Sequence, residues 1–251
     1  MTGTLYLIPN TLGVCEPVLP DALSHVIPRD VQRLTATLSV FVAENAKSTR
    51  AFLKLVAMKH PLSLPLQEIR IDELNVNTPE KMLPGLLAPL LNGQDVGLIS
   101  DAGVPAVADP GATLVRLAHQ HGIKVTPMVG PSSLLLAVMA SGLNGQSFAF
   151  NGYLPVDAAL RCKRVRELEL RSGQERQTQI FIETPYRNQA MLDTLAAQCK
   201  SDTLICVATD LTLPTESIKT LTASHWKKTL AAKQGPDLQR RPSVFLLLST
   251  L

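Results

Sequence analysis

The sequence predicts an α/β protein, and three observations carry that expectation. Short apolar, β-rich runs alternate with stretches that repeat apolar residues at helical spacing. Most of those runs stop in small, acidic or proline-bearing loops, as strands do at the carboxyl edge of an open sheet. The stretch Val96–Ser133, VGLISDAGVPAVADPGATLVRLAHQHGIKVTPMVGPSS, shows both features twice over. It reads as strand, acidic loop, helix, strand, second glycine/proline loop and helix, which suggests a cleft with two walls.

Taken in order, Thr4–Ile8 (TLYLI) is the first strand and ends at Pro9-Asn10, then Gly13. Cys15 to Leu34, with Pro17, Pro20 and Pro28, reads as loop with a short helix. Val31–Thr37 is helical and leads into the apolar run Leu38–Ala43, which stops at Glu44-Asn45-Ala46. A helix fits Lys47–His60, with Phe52, Leu53, Leu55 and Val56 inward and Pro61 and Pro65 beyond its end. Leu66–Ile71 alternates apolar and polar residues like a half-buried strand. Thr78 reads as an N-cap, with Glu80 behind it and a stripe of Leu83, Leu86, Leu87 and Leu90 up to Asn92-Gly93. Val96–Ile99 and Lys124–Met128 are the strands of the central stretch.

Beyond it, Leu134–Ala140 is a very apolar helix closed at Gly142 by the Schellman-type signal SGLNG. Phe148–Phe150 is a short strand that enters the loop Asn151-Gly152-Tyr153-Leu154-Pro155. Arg161–Arg171 is an exposed helix or a partly mobile segment. Gln179–Ile182 is a strand followed by Glu183-Thr184-Pro185-Tyr186-Arg187, and Asn188–Cys199 is an amphipathic helix. Thr203–Ala208 is a buried strand ending at Thr209-Asp210, and Ser217–Leu221 is a short one. Ser224 caps a helix through Lys233, and Ser243–Leu251 is the final strand. A domain boundary is expected near 110–125, giving domains 1–118 and 119–251.

Composition narrows the function. Hydrophobic residues make up 45% and charged residues 18% of the chain, which fits a packed core and argues against disorder. A net charge of +3 would not repel RNA but is too small to diagnose nucleic-acid binding. Cys15, Cys162, Cys199 and Cys206 lie far apart with no paired His or Cys, so reduced thiols are expected rather than zinc or a disulfide framework. The N-terminus lacks a signal-peptide pattern, and no apolar run reaches the roughly 18 residues of a membrane span, so a soluble cytoplasmic protein is expected. GxGxxG, GxxxxGK[ST], GxSxG and HExxH are all absent, which argues against nicotinamide, P-loop, serine-hydrolase and zincin chemistry.

What remains lies at the strand ends. Ser100-Asp101-Ala102-Gly103 and Asp109-Pro110-Gly111 precede a helix beginning at Ala112 and suit an adenosine or a carboxylate-bearing ligand. Asp109 is read as the cap of that helix, and Asp101 as a ligand residue. Glu183–Arg187 reads equally as a functional sheet edge or as a helix N-terminus with Pro185 near its first turn. Arg161, Lys163, Arg164, Arg166, Arg171, Arg176 and Arg240-Arg241 read first as solvated helix and loop charges and second as guides for an anionic polynucleotide.

GTLYLIPNTLG, AENAKST, SDAGVPAVADPG, GPSS, FAFNGYLP, FIETPYR and TDLTLPTE occur in that order across nearly the whole chain. The set resembles the tetrapyrrole methylase superfamily of S-adenosylmethionine (SAM)-dependent methyltransferases, and within it the branch that methylates a ribose 2′-hydroxyl of small-subunit ribosomal RNA. The resemblance implies two α/β domains with SAM in the cleft between them, a homodimer, and RNA or a small molecule as methyl acceptor. It also implies cofactor contacts by Pro9, by Ser100, Asp101, Ala102 and Gly103, and by Gly130, Pro131, Ser132 and Ser133. Tyr153, Leu154, Tyr186, Leu211 and Thr212 would line the cofactor or the substrate mouth, and Pro242, Ser243 and Val244 would cover the adenine. No metal is implied.

The chain departs from that branch in specific places. The branch's TPIGN turn is Asn10-Thr11-Leu12-Gly13-Val14, and its AEDTR is Ala43-Glu44-Asn45-Ala46-Lys47. Its ARELTK is Ala208-Thr209-Asp210-Leu211-Thr212-Leu213, and its KGE is Arg241-Pro242-Ser243. Lys for Arg is not conservative where a phosphate is gripped at two points. The cofactor half is thus retained and the substrate half has drifted. Glu44 is the candidate base for an acceptor hydroxyl, with Lys47, Arg50 and Arg187 as electrostatic partners. Capping the helix that begins near Lys47 is the competing reading of Glu44. The alternatives to RNA are a tetrapyrrole or other small-molecule acceptor, or a SAM-binding protein with degenerated catalysis.

Overall fold

Val40–Ala43 and Val96–Ile99 are apolar on both faces, as strands at the centre of a parallel sheet covered by helices on each side are. The computed structural model describes residues 1–13 and 23–250. Val14, Cys15, Pro17 and Pro20 lie outside the described residues. The described chain forms two compact units, Met1–Ser132 and Ser133–Leu251.

The first unit holds β1 (Thr4–Ile8), α1 (Arg29–Thr37), β2 (Val40–Ala43), α2 (Ala46–Ala57) and β3 (Arg70–Glu73). After a 3-10 turn at Glu80–Met82 come α3 (Leu83–Leu91), β4 (Val96–Ile99), α4 (Ala112–Gln120) and β5 (Lys124–Pro127). The sheet order is β3-β2-β4-β1-β5, and every pairing is parallel. All five carboxyl ends therefore meet along one edge. Alternation along the strands supplies two cores. Val40, Val42 and Leu98 pack with Leu83, Leu86, Leu87 and Leu90 of α3 and with Leu114 of α4. Phe41, Ala43 and Ile99 pack with Val31 of α1 and with Phe52, Leu53 and Val56 of α2. Gly97 makes this possible in β4, since a Cβ there would stand 2.7 Å from the Phe41 ring.

The second unit holds α5 (Ser133–Ser141), β6 (Phe148–Tyr153), α6 (Ala158–Glu175), β7 (Thr178–Glu183), α7 (Asn188–Gln198), β8 (Leu204–Thr209), β9 (Ser217–Thr222), α8 (Ala223–Ala231) and β10 (Ser243–Leu248). Its order is β6-β7-β10-β8-β9, with only β6 and β7 paired in parallel. One face buries Phe181, Phe245, Val207 and Ile205 against Val165 and Leu168 of α6, Leu192 and Leu195 of α7 and Trp226 of α8. The Trp226 indole N–H donates to the Ile205 carbonyl at 2.9 Å, so the largest core side chain carries no unmet donor.

Several expectations shift. The division at 132/133 differs from the expected 118/119; β5 is paired to β1 (Thr4 beside Lys124), which keeps residues 119–132 with the first sheet. The strand expected at Leu66–Ile71 is Arg70–Glu73, because its register is set by pairing with Val40–Ala43 and not by its own alternation. Thr78 does not cap a helix: its hydroxyl accepts from the Asn75 amide, and Pro79 precedes the 3-10 turn. The α2 cap is Asn45, whose Oδ1 accepts from the Lys47 amide, and the α8 cap is Thr222 rather than Ser224. Asn151-Gly152-Tyr153 continue β6 instead of forming a loop.

The charged segment Arg161–Arg171 is part of the ordered helix α6, and it is not wholly exposed. Arg161 turns inward, with Nε donating to Thr194 Oγ1 at 3.2 Å and Nη1 to the Val156 carbonyl at 2.9 Å. Glu169 is buried and accepts the Lys200 amide at 2.7 Å and the Thr203 hydroxyl.

Candidate functional site

The all-parallel sheet of the first unit delivers three loops to one edge, after β1, β2 and β4. Asn10 follows β1 and is 5% exposed. Its Nδ2 donates to the carbonyls of Ser100 and Asp101, each at 3.1 Å, and its backbone amide donates to the Gly103 carbonyl at 2.8 Å. One amide side chain thus ties the β1 loop to the β4 loop. Gly103 sits at φ +68°, a conformation costly for residues with a Cβ. Pro9 is buried, and Gly130 lies so close that a Cβ on it would come within 2.3 Å of the proline ring.

Asp101 stands at the exposed centre of this edge. Its backbone amide donates to Glu44 Oε2 at 3.1 Å, and its Oδ1 accepts from the Ser48 hydroxyl of α2. Ser100 is 2% exposed and donates to the Ala102 carbonyl at 3.3 Å. A cavity of about 190 Å³ opens beside Asp101, walled by Asn10, Leu12, Ser48, Phe52 and Leu55. Lys47 and Arg50 lie exposed on the first turns of α2, where Arg50 Nη1 reaches the Ala46 carbonyl at 3.4 Å.

Asp109 is not the cap of α4. The N-cap is Gly111, at φ +131°, with no side-chain capping bond, and the Asp109 carboxyl faces Ser100. Its pKa is pushed up to about 6, first by partial burial and next by the Glu44 charge, with Asp101 adding to the rise and the Ser100 hydrogen bond opposing it. Glu44, Asp101 and Asp109 thus form an acidic group, and no described Lys or Arg forms an ion pair with any of them. The loop carrying Asp109 also holds Ala106 at φ 66° and Ala108 at φ 64°, strained backbone of the kind that collects at functional sites.

The second unit builds its edge differently. Ser243 of β10 lies opposite both Glu183 of β7 and Thr209 of β8, so the loops after β7 and β8 share one sheet end. The two buried acids there each have an arginine: Glu183 pairs with Arg187, and Asp210 pairs with Arg241 at 3.2 Å. Asn188, the first residue of α7, ties the end of the β7 loop to the segment entering β10 through Nδ2 bonds to the Arg241 carbonyl at 2.7 Å and to Ser243 Oγ at 3.1 Å. Asp210 at φ 50° and Thr212 at φ 71° carry strain here.

The site residues expected from the sequence separate by unit. Pro9, Ser100, Asp101, Ala102, Gly103, Gly130, Pro131 and Ser132 fall in the first unit with Glu44, Lys47 and Arg50, while Ser133 opens α5 in the second. In the second unit Tyr153 and Tyr186 are 58% and 82% exposed, whereas Leu154, Leu211, Ser243 and Val244 are buried and could offer a ligand little but backbone. Pro242 is exposed and Thr212 partly so. Pro185 lies outside α7, whose N-cap is Arg187. The sequence alone does not single out Asn10, Ser48 or Asp210, reads Asp109 as a cap, and leaves Glu183 open between a functional sheet edge and a helix N-terminus. Asn10, Asp109, Glu183 and Asp210 all stand at strand ends or in the loops that follow them, a signal that could have found them. Ser48, 53 residues from Asp101, carries none.

No helix among the described residues is long and apolar enough to cross a membrane, and no group of three or more metal-ligating side chains occurs among them. A sequence model of the Tetrapyrrole (Corrin/Porphyrin) Methylases matches residues 24–226. The chain is 39% identical to Ribosomal RNA small subunit methyltransferase I of Mesorhizobium japonicum over 92% of this chain and 71% of that protein. It is 30% identical to the protein of the same name from Xylella fastidiosa, over 98% of this chain and 81% of that one. Among solved structures it resembles uroporphyrin-III-C-methyltransferase from Thermus thermophilus (TM-score 0.51, 18% identity, 99% and 93% covered) and the methyltransferase CobJ (TM-score 0.58, 16% identity, 99% and 95% covered). The architecture of two α/β units is that of these enzymes. The chain belongs to the tetrapyrrole methylase family and is a SAM-dependent methyltransferase.

Proposed function

We propose that the protein transfers the methyl group of SAM to RNA, at a ribose 2′-hydroxyl of small-subunit ribosomal RNA. The observation that carries the acceptor class is the 39% identity to a ribosomal RNA methyltransferase along 92% of this chain. The donor set at the first edge fits SAM. Asp101 presents an exposed carboxylate that can accept from ribose hydroxyls, and the unpaired acids Glu44, Asp101 and Asp109 favour a ligand bearing a sulfonium and an ammonium.

When bound, SAM supplies an electrophilic methyl on a sulfonium, and the chain's task is to position the acceptor in line with it. Glu44 is held at Oε2 by the Asp101 amide, which leaves Oε1 to accept the proton of an acceptor hydroxyl. Lys47, Arg50 and Arg187 supply positive charge for an anionic acceptor. Ser100 to Gly103, Gly130 to Ser133 and Pro9 are proposed as cofactor contacts of the β1, β4 and β5 loops. Tyr153, Leu154, Tyr186, Leu211, Thr212, Pro242, Ser243 and Val244 are proposed as those of the second unit. The same reading makes the protein a cytoplasmic homodimer, a state that sedimentation velocity checks.

The drift at Asn45, Lys47, Thr209 and Asp210 favours a second reading, a small-molecule acceptor or a SAM-binding protein without turnover. Labelled SAM incubated with total RNA and a small-molecule extract from a strain lacking the gene separates the readings. Label in small-subunit RNA is the expected result. Label in the small-molecule fraction, or none despite SAM binding, would sink the RNA assignment.

A further inference from the structure

The Glu183–Arg187 pair is built in a way that stability alone does not explain. The Glu183 side chain is 0% exposed. Its Oε1 accepts three donors: the Thr184 amide at 2.7 Å, Arg187 Nε at 2.9 Å and Arg187 Nη2. Its Oε2 is buried with no hydrogen-bond partner among the described residues. A buried carboxylate with one idle oxygen is a cost to the fold, and such groups call for a reason. The gain is a fixed guanidinium. Nε and one hydrogen of Nη2 are spent on Glu183, and no described residue accepts from Nη1. The outer edge of the fork, Nη1 with the remaining Nη2 hydrogen, is therefore unused on a side chain that stays 30% exposed.

That edge has the geometry to take two oxygens of one phosphate, and a pre-oriented fork loses little freedom on doing so. Arg241 at the same sheet end offers a contrast. Its Nη1 donates to Asp210 and toward the Thr215 carbonyl, and its Nη2 faces Asp237, so it is consumed internally. Tyr186, next to Arg187 and 82% exposed, places an aromatic ring beside the free fork, a combination that suits single-stranded polynucleotide. The wider charge agrees. Residues 133–251 carry fourteen Lys and Arg against ten Asp and Glu, whereas residues 1–132 carry ten against eleven.

We propose that Arg187 grips a backbone phosphate of the acceptor RNA and that Glu183 is the positioning residue that holds its guanidinium for that contact. This rests on the RNA reading above. The test is the salt dependence of binding to a short single-stranded RNA, for wild type, R187K and the paired variant E183Q/R187Q. The paired variant leaves no unpartnered buried charge and so keeps the fold, with an unchanged far-ultraviolet circular dichroism spectrum as the control. Losing one phosphate contact should lower the slope of log affinity against log salt by about 0.7 in E183Q/R187Q. R187K should keep the slope and lose roughly tenfold in affinity, because Lys is a point charge without the fork. An unchanged slope in the paired variant, with wild type still methylating small-subunit RNA, overturns this inference and leaves the RNA reading intact. No salt-dependent RNA binding and no RNA methylation by wild type would overturn both.

Discussion

The two sheet edges solve the same problem with opposite chemistry. In the first unit, parallel strands bring acids together and leave them without ion-pair partners among the described residues, so the edge is held by backbone: Asn10 on two carbonyls, the Asp101 amide on Glu44, glycines at Gly103 and Gly130. In the second, antiparallel β10 lies between β7 and β8, and the buried acids Glu183 and Asp210 are matched by arginines. An unpaired acidic edge favours a cationic ligand, and an edge with a pinned guanidinium favours an anionic one. A methyl donor with a sulfonium and an acceptor with phosphates have those signs.

The largest expected effect breaks the second edge. Arg187→Ala strands the Glu183 carboxylate in the interior and should cost about 3–5 kcal/mol in urea unfolding, with much of the loss recovered when Glu183 is also made Gln. Breaking the first edge needs only a methyl group. Gly130→Ala drives a Cβ into the Pro9 ring and should cost about 1–3 kcal/mol, with loss of SAM affinity if this loop holds the cofactor.

The acidic group itself can be sharpened by pH. Asp109 titrates near 6 in the folded chain against an ordinary 3.8, so the folded state binds its proton more tightly and stability falls as pH rises through that window. Asp109→Asn removes the penalty and should raise stability at pH 8 by about 1–2 kcal/mol, after allowance for solvent screening of a partly exposed group. The difference should shrink as pH falls through 6 and vanish only well below the ordinary value of 3.8, where the wild-type carboxyl is protonated in both states. Thermal melts from pH 8 down to below that value read it directly. The smallest effect probes strain: Ala108→Gly relieves a φ of 64° and should stabilise by about 0.5–1 kcal/mol.

Much of the fold was legible in the sequence, because strands buried on both faces read as unbroken apolar runs; Val96–Ile99 has the same bounds in the structure. What failed was whatever tertiary context decides. Leu66–Ile71 alternated convincingly, yet pairing with β2 starts the strand at Arg70. Asp109 before Pro110-Gly111 had the look of a cap, but Gly111 at φ +131° turns the chain so that the carboxyl meets Ser100 instead. Arg161 and Glu169 looked like surface charges in a charged helix and are buried by partners 30 or more residues away. The place of Asp101 at the exposed sheet edge was legible from its position after an apolar strand. Its Ser48 partner and the pinning of Arg187 Nη2 on a single oxygen of Glu183 exist only in three dimensions.

The claim that the first edge is the donor's wall is tested most directly by calorimetric titration of SAM into wild type and Asp101→Ala. Asp101 is exposed and, among the described residues, its side chain bonds only Ser48, so the variant should fold as wild type does. Loss of a charged hydrogen-bond acceptor at about 1.5–3 kcal/mol predicts SAM affinity reduced roughly 10- to 150-fold. Equal affinity in the two proteins would contradict the assignment.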